Sequence, residues 1–170
     1  MTTPTFYTWL DSPVDDLLLT SNGQALTGVL FKTHQGPAPE PTWQRNDAWF
    51  KDVKRQLRAY FAGDLQDFSL AVAPEGTRFQ RRVWAALQTI PYGETRSYAE
   101  VARRIGHPGA ARAVGAANGQ NPIAVIIPCH RVIGADGTLT GFGGGLKRKR
   151  TLLELEANAI TKKARLPVYV

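Results

Sequence analysis

The sequence predicts an α+β fold: a small N-terminal mixed α/β domain with an antiparallel sheet, then a mostly helical C-terminal domain with a winged-helix-like helix-turn-helix. Three observations carry this reading. Short β-type runs fill the first fifth of the chain, helix-start signatures recur after Thr77, and two short helical segments are separated by Gly106-His107-Pro108-Gly109. The domains fall at 1–73 and 77–160, with Ala73-Pro74-Glu75-Gly76 as linker and 161–170 as a loosely held tail.

Phe6 to Leu10 and Leu17 to Thr20 read as short strands, with Ser21-Asn22-Gly23 as the turn into a third run from Gln24 to Thr33. In that run Leu26, Gly28 and Leu30 alternate with Ala25, Thr27 and Val29, the pattern of a half-buried strand. Gly36 to Pro41 holds three prolines in six residues and reads as a loop. Val53, Leu57, Tyr60 and Phe61 then fall on one face of an amphipathic helix closed by Gly63, and a strand is expected from Phe68 to Val72.

Thr77-Arg78-Phe79-Gln80 is a capping-box pattern, and Phe79, Val83, Leu87 and Ile90 mark the buried face of the helix it opens. Ser97-Tyr98-Ala99-Glu100 repeats the pattern before a helix with core residues Val101, Ala102 and Ile105, stopped by Gly106. A third helix, Ala110 to about Asn118, is rich in Ala and Gly, which permits close approach to another surface; its one charge is Arg112. Ile123 to Ile127 reads as a buried strand, Asp136-Gly137 as a tight turn, Gly141 to Gly145 as a glycine-rich loop, and about Lys147 to Asn158 as the closing helix.

Composition limits the function. No stretch approaches the ~20 apolar residues of a membrane span and no signal-peptide pattern opens the chain, so a cytoplasmic location is expected. The single cysteine, Cys129, excludes an intramolecular disulfide and a multi-cysteine zinc site, and His34, His107 and His130 lack metal-ligand spacing; no metal is expected. Lys and Arg outnumber Asp and Glu by 21 to 14, a formal +7, which suits an anionic partner such as nucleic acid and equally a basic solubilising surface.

The candidate chemistry centres on Cys129, which follows an apolar run and a proline and precedes His130 and Arg131. A lone cysteine is most often a small core residue. Here the cationic neighbours point instead to a thiol with lowered pKa, since thiolate is the nucleophile. On an extended chain adjacent side chains diverge, so a water would bridge Cys129 and His130. Glu156, among Leu152, Leu153 and Leu155, is a candidate to orient His130, though a surface carboxylate is the plainer reading. The glycine run matches neither a P-loop nor a dinucleotide fingerprint; it would let a flat ligand approach, with Phe142 as a stacking partner. Lys147 to Arg150 reads as a solvated face or a phosphate grip, and Trp9, Trp43, Trp49 and Trp84 as core.

Pro128-Cys129-His130-Arg131-Val132 resembles the O6-alkylguanine-DNA alkyltransferases. So do Phe79 to Trp84, Ile90 to Thr95, Tyr98 to Ala102, Ala110 to Gly115, Asn121-Pro122, and Gly144-Gly145 followed by the helix carrying Glu156. The resemblance is strong from Thr77 to Glu156. It implies a cofactor-free, single-turnover DNA repair methyltransferase that moves the alkyl group of O6-methylguanine, and of O4-methylthymine, to a cysteine after flipping the base. By resemblance Cys129 is the nucleophile, His130 the base acting through a water, Glu156 its orienting carboxylate, and Asn121 a hydrogen-bonding member of the site. Arg112 would fill the vacated base stack, and Thr95, Ser97, Tyr98, Ala113 and Gly115 would contact DNA. Tyr98, Val132, Phe142, Gly143 and Gly144 would line the alkylguanine pocket. The implied partner is double-stranded DNA bearing O6-alkylguanine, met by a monomer, with cooperative assembly on DNA left open. The chain departs from some members in carrying Phe142 and Gly143 where they have tyrosine and serine, and Ala124 where they have proline; both changes enlarge the pocket. The zinc of some members' N-terminal domain has no cysteine here to hold it.

Two other classes stay in view. A non-catalytic protein that recognises alkylated bases would lack the cysteine, and a winged-helix regulator would bind a specific sequence.

Overall fold

The computed structural model describes residues 3–32, 38–140, 142 and 144–164. The order of elements is β1 (Phe6–Leu10), β2 (Leu17–Ser21), β3 (Leu26–Phe31), β4 (Gln44–Arg45), α1 (Lys51–Phe61), α2 (Arg78–Leu87), β5 (Arg96–Ser97), α3 (Tyr98–Arg104), α4 (Ala111–Gly119), a 3-10 turn (Cys129–Arg131), β6 (Val132–Ile133) and α5 (Leu146–Ala164).

The N-terminal sheet has the order β3-β2-β1-β4. β1 and β2 pair antiparallel from Phe6 opposite Ser21 to Leu10 opposite Leu17, and β4 adds in parallel beside Phe6 and Tyr7. All five residues of β2 are buried, as its apolar run and central position demand. The β2–β3 register shifts between Thr20 and Ser21, and this changes which side chains of β3 face inward. Leu26, Gly28, Val29 and Phe31 are buried while Thr27 and Leu30 are half-buried, so the simple alternation read from sequence breaks at the irregularity.

Two expected strands are reduced to one bridging residue each. Val72 bridges Leu26 and Ile123 bridges Val29, both in parallel, and the rest of Phe68 to Val72 and of Ile123 to Ile127 is irregular or turn. The backbone explains this. Val29 N–H donates to Pro122 O at 2.9 Å and Ala124 N–H to Val29 O at 3.1 Å, after which the chain turns away from the sheet. A short apolar run signals burial, and periodicity does not distinguish a buried strand from a buried turn.

The helices start where side chains cap them. The Thr77 hydroxyl accepts from Gln80 N–H and the Gln80 side chain returns the bond to Thr77, completing the capping box of α2. Ser97 accepts from Glu100 N–H at the start of α3. α1 ends as expected near Gly63, at φ +81°. α5 departs from expectation: it continues through residues 161–164, which the sequence assigns to a loose tail, and Ala159 packs against Gly63 beyond the end of α1.

Buried residues of both halves merge into one core, in which Leu17, Leu19, Leu57 and Tyr60 join Val83, Leu87, Val114 and Leu152. Of the four tryptophans only Trp84 is fully buried; Trp9, Trp43 and Trp49 are half-buried. Trp84 Nε1–H donates to Ala117 O at 2.9 Å, tying α2 to α4. Among the described residues no helix is long and apolar enough to cross a membrane.

Trp84→Phe removes that donor and part of a close-packed ring, so stability falls by about 1–3 kcal/mol, read as a lower urea midpoint with unchanged slope.

Candidate active site

The turn that carries Cys129 is tightly folded. Ile126 N–H donates to Ala124 O at 2.8 Å around Val125, whose φ is +70°, a γ-turn that a β-branched residue adopts only under strain. Cys129 N–H donates to Ile127 O at 2.8 Å around Pro128 at φ −82°, ψ 66°, the inverse γ-turn. A 3-10 turn follows at once. Cys129 therefore stands on a double turn and not at the end of a strand, and the neighbouring side chains are set by this coiled backbone. Asn121 and Asn118 brace it: Asn121 Nδ2 donates to Ile127 O at 2.8 Å, its Oδ1 accepts from Ile123 N–H at 3.0 Å, and Asn118 Nδ2 donates to Cys129 O at 3.2 Å.

Glu156 is fully buried, not a surface carboxylate, and five donors among the described residues surround it. Oε1 accepts from Gly93 N–H at 3.0 Å and Arg131 Nε at 2.9 Å. Oε2 accepts from His130 Nε2 at 2.6 Å, Tyr60 Oη at 2.6 Å and Arg131 Nη2 at 3.1 Å. Burial pushes the carboxyl upward, but the hydrogen bonds from His130 and Arg131 and the charge of Arg131 pull harder and hold it well below the ordinary range. Gly93 is needed for this: its φ is +78°, and a Cβ there would meet the Ile160 side chain.

An ionised Glu156 only accepts, so His130 carries its proton on Nε2. Burial holds the imidazole below its ordinary pKa against the opposing pull of Glu156, and it stays neutral at pH 7. Its Nδ1 is buried and has no hydrogen-bond partner among the described residues. The result is a basic nitrogen with its lone pair open, in the same turn as the thiol.

Cys129 is 4% exposed. Burial pushes its thiol up to about 11, outweighing the Asn121 side-chain amide, the Lys149 charge and the backbone N–H groups of Cys129 and His130, which all favour thiolate. This corrects the expectation of a resting thiolate. The resting pair is neutral thiol and neutral imidazole, because taking a full charge out of water costs more than these partial and distant charges return.

Sequence reasoning missed Lys149, Arg148, Arg131, Tyr60 and Asn118. Lys149 is buried, donates to Thr140 O at 2.9 Å and lies 5.9 Å from the centre of the Tyr98 ring and 6.0 Å from that of Phe142. Burial lowers its pKa, with Cys129 opposing. The side chain of Arg148 is 19% exposed and spans the two halves. It bonds Asp15 at 2.9 Å, Gly144 O at 2.8 Å and Lys32 O at 3.1 Å, and stacks over Phe31. The basic run is thus half buried machinery, and only Lys147 and Arg150 match the solvated face. A heptad-like count from Glu156 back to Lys149 was the available signal, since both lie seven residues apart on one face of α5.

Tyr98 opens α3; its hydroxyl donates to Thr140 O at 2.8 Å and its ring lies against Gly115 of α4. Val132 is buried in β6, which pairs with β5, and Phe142 meets Phe31 edge-on at 5.8 Å. Gly144 passes so close to Phe31 that a Cβ would lie 2.6 Å from its ring. Gly143 lies outside the described residues. Arg112 and Ala113 are exposed on α4, Thr95 is exposed beside β5, and Ser97 and Gly115 are half-buried. Arg112 forms no hydrogen bond or ion pair with any described residue, and Arg81, Arg103 and Arg104 are exposed on α2 and α3.

A cysteine in the same turn as the histidine of a buried His–Glu pair, on a domain with a helix-turn-helix and an exposed arginine, is the arrangement of a DNA-binding protein that carries a thiol site. Residues 5–74 match the ribonuclease-like domain of 6-O-methylguanine DNA methyltransferase, and residues 78–158 match its DNA-binding domain. The chain is 55% identical over 150 residues to the methylated-DNA–protein-cysteine methyltransferase of Mycobacterium tuberculosis, covering 88% of this chain and 91% of that one. It is 50% identical over 154 residues to that of Methanosarcina acetivorans, covering 90% and 99%. The M. tuberculosis OGT solved in complex with DNA superposes with a TM-score of 0.84 at 53% identity, covering 91% of this chain and 94% of that one. The chain belongs to the methylated-DNA–protein-cysteine methyltransferase family, enzymes of DNA repair by alkyl transfer.

Glu156→Gln leaves Arg131 buried without its counter-charge, so stability at pH 7 falls by about 3–5 kcal/mol. A carboxyl held low stabilises the fold above its unfolded pKa and loses that contribution as pH falls through its folded value. The gap between wild type and Glu156→Gln in chemical denaturation therefore narrows as pH drops below 4.5.

Proposed function

We propose that this chain removes the alkyl group from O6 of guanine in duplex DNA by taking it onto Sγ of Cys129, once per molecule. The observation that supports this most is the open Nδ1 of a neutral His130 whose other nitrogen is committed to Glu156. A group that is neutral and oriented at rest is a base ready to take a proton.

In this reading a water joins Sγ and Nδ1. As Sγ forms its bond to the alkyl carbon, the thiol proton passes through the water to Nδ1 and the carbon–O6 bond breaks. The electron pair leaves on O6, is shared across the purine to N1, and N1 gains a proton as guanine is restored. The proton gained by His130 balances the one guanine takes up, so no cofactor enters. Glu156 stabilises the transient imidazolium, while Asn121, Lys149 and the turn amides stabilise developing negative charge on sulfur. The thioether that results has no proton to return, so the site does not reset.

A stacked guanine does not offer its alkyl carbon to a thiol 4% exposed, and extrusion of the base costs a few kcal/mol. We assign Arg112 to the emptied stack because it is exposed, charged and unpaired among the described residues on a helix of small side chains. Thr95, Ser97, Ala113 and Gly115 then face the backbone, and Tyr98, Val132, Phe142, Gly143 and Gly144 receive the base. O4-methylthymine carries the same alkyl–oxygen bond on a smaller ring and is the second substrate we assign. The presence of Cys129 argues against a purely lesion-recognising role, and the match to the methyltransferase family over both halves argues against a sequence-specific regulator.

Intact-mass measurement after mixing with O6-methylguanine duplex should show one added methyl group, mapped to Cys129, and none on Cys129→Ser; a methyl group found elsewhere defeats the reading. Arg112→Ala should slow repair of duplex at least tenfold yet react with free O6-benzylguanine at nearly the wild-type rate, since flipping a paired base is the step it loses. Equal slowing on both substrates removes Arg112 from that role.

A further inference from the structure

Tyr60 is the one side chain from the N-terminal sheet-and-helix region that touches the Glu156 carboxylate among the described residues. It lies in the last turn of α1, is 0% exposed, and is held by ring contacts with Phe61 and Phe68 at 5.4 Å and Tyr92 at 6.0 Å. Phenylalanine would fill this aromatic nest equally well. A buried hydroxyl is costly unless it bonds, and among the described residues this one bonds only Glu156. It donates to Oε2, the same oxygen that accepts from His130 Nε2.

The three donors on this oxygen, His130, Tyr60 and Arg131 Nη2, compete for its negative charge. Charge drawn toward the phenol is withdrawn from the imidazole, which makes His130 less inclined to hold a second proton. Resting on the transferase reading above, we propose that Tyr60 is a positioning residue for alkyl transfer: its hydroxyl shares Glu156 Oε2 with His130 and thereby keeps His130 in the neutral form that accepts the thiol proton. The N-terminal half then contributes to the chemistry as well as to the scaffold.

The charged and titratable groups around His130 are accounted for. Glu156 and Lys149 face it from α5, Cys129 and Arg131 from its own turn, and Tyr60 from α1, with Tyr92 beside Glu156 and Arg131. Of these, Tyr60 alone is a neutral donor on the carboxylate side chain, and burial next to Glu156 raises its own pKa so that it stays protonated. Tyr92 provides an internal control, since its hydroxyl is buried in the same cluster and has no hydrogen-bond partner among the described residues.

The test uses full-length wild type, Tyr60→Phe, Tyr92→Phe, and protein with 3-fluorotyrosine replacing Tyr60, a better donor of the same shape. Two readouts are taken: the proton resonance of the His130 imidazole N–H in histidine-labelled protein, assigned by its persistence in His34→Ala and His107→Ala, and the pH dependence of benzyl transfer from O6-benzylguanine. In Tyr60→Phe the N–H resonance moves downfield and the acid limb moves up by about half a unit. On that limb transfer slows by about threefold, and on the plateau it does not. Fluorotyrosine moves both readouts the opposite way, and Tyr92→Phe moves neither. Unmoved resonances and limb in Tyr60→Phe, or equal movement in Tyr92→Phe, reduce Tyr60 to packing and overturn the proposal. A wild type that transfers no benzyl group defeats the transferase reading instead, and the N–H resonances still decide whether Tyr60 acts on the imidazole.

Discussion

The structure depends on one buried carboxylate. Glu156 cannot remain ionised at 0% exposure without compensation, and its five donor atoms come from three places: the end of α1, the turn at Gly93, and the 3-10 turn, which supplies both His130 and Arg131. Each donor fixes a backbone. The requirement to satisfy one charge therefore locks α5 against the turn that carries Cys129 and against the N-terminal half. Arg131 extends the lock by donating to Ile90 O at 2.8 Å, which secures the end of α2 as well.

The same constraint sets the protonation states of the site at rest. Glu156 accepts from Nε2–H, so the lone pair lies on Nδ1, and burial keeps the ring neutral. Burial also keeps the thiol protonated. The site therefore stores neither charge at rest, while Asn121, Lys149 and the turn amides are placed where they favour negative charge on sulfur.

The two halves are joined by more than packing. β3 hydrogen-bonds Pro122 and Ala124 at the root of the turn that carries Cys129, Arg148 spans from Asp15 and Lys32 to Gly144, and Tyr60 reaches Glu156. Displacement of the sheet would disturb the turn, the glycine-rich segment and the carboxylate together. These are short-range contacts between residues more than ninety positions apart in the case of Tyr60 and Glu156.

Much was legible in the sequence because it depends on local rules. The capping box at Thr77, the cap at Ser97, the amphipathic face of α1 and the order β1, β2, β3 follow from neighbours within a few residues. Cys129, His130, Arg112 and Tyr98 stood out by residue type and by resemblance. Other features followed from contacts that no local pattern encodes. Ile123 to Ile127 is apolar whether strand or turn, and its two bonds to β3 followed by the γ-turn at Val125 decided for turn. Glu156 and Lys149 look like surface charges until α5 is docked with that face inward, and Tyr60 looks like an ordinary core aromatic until its hydroxyl meets a carboxylate. Composition and periodicity marked most of the apolar residues that leave water; only the tertiary arrangement decided which polar groups follow them and which of those share a partner, because hydrogen bonding is directional and apolar burial is not.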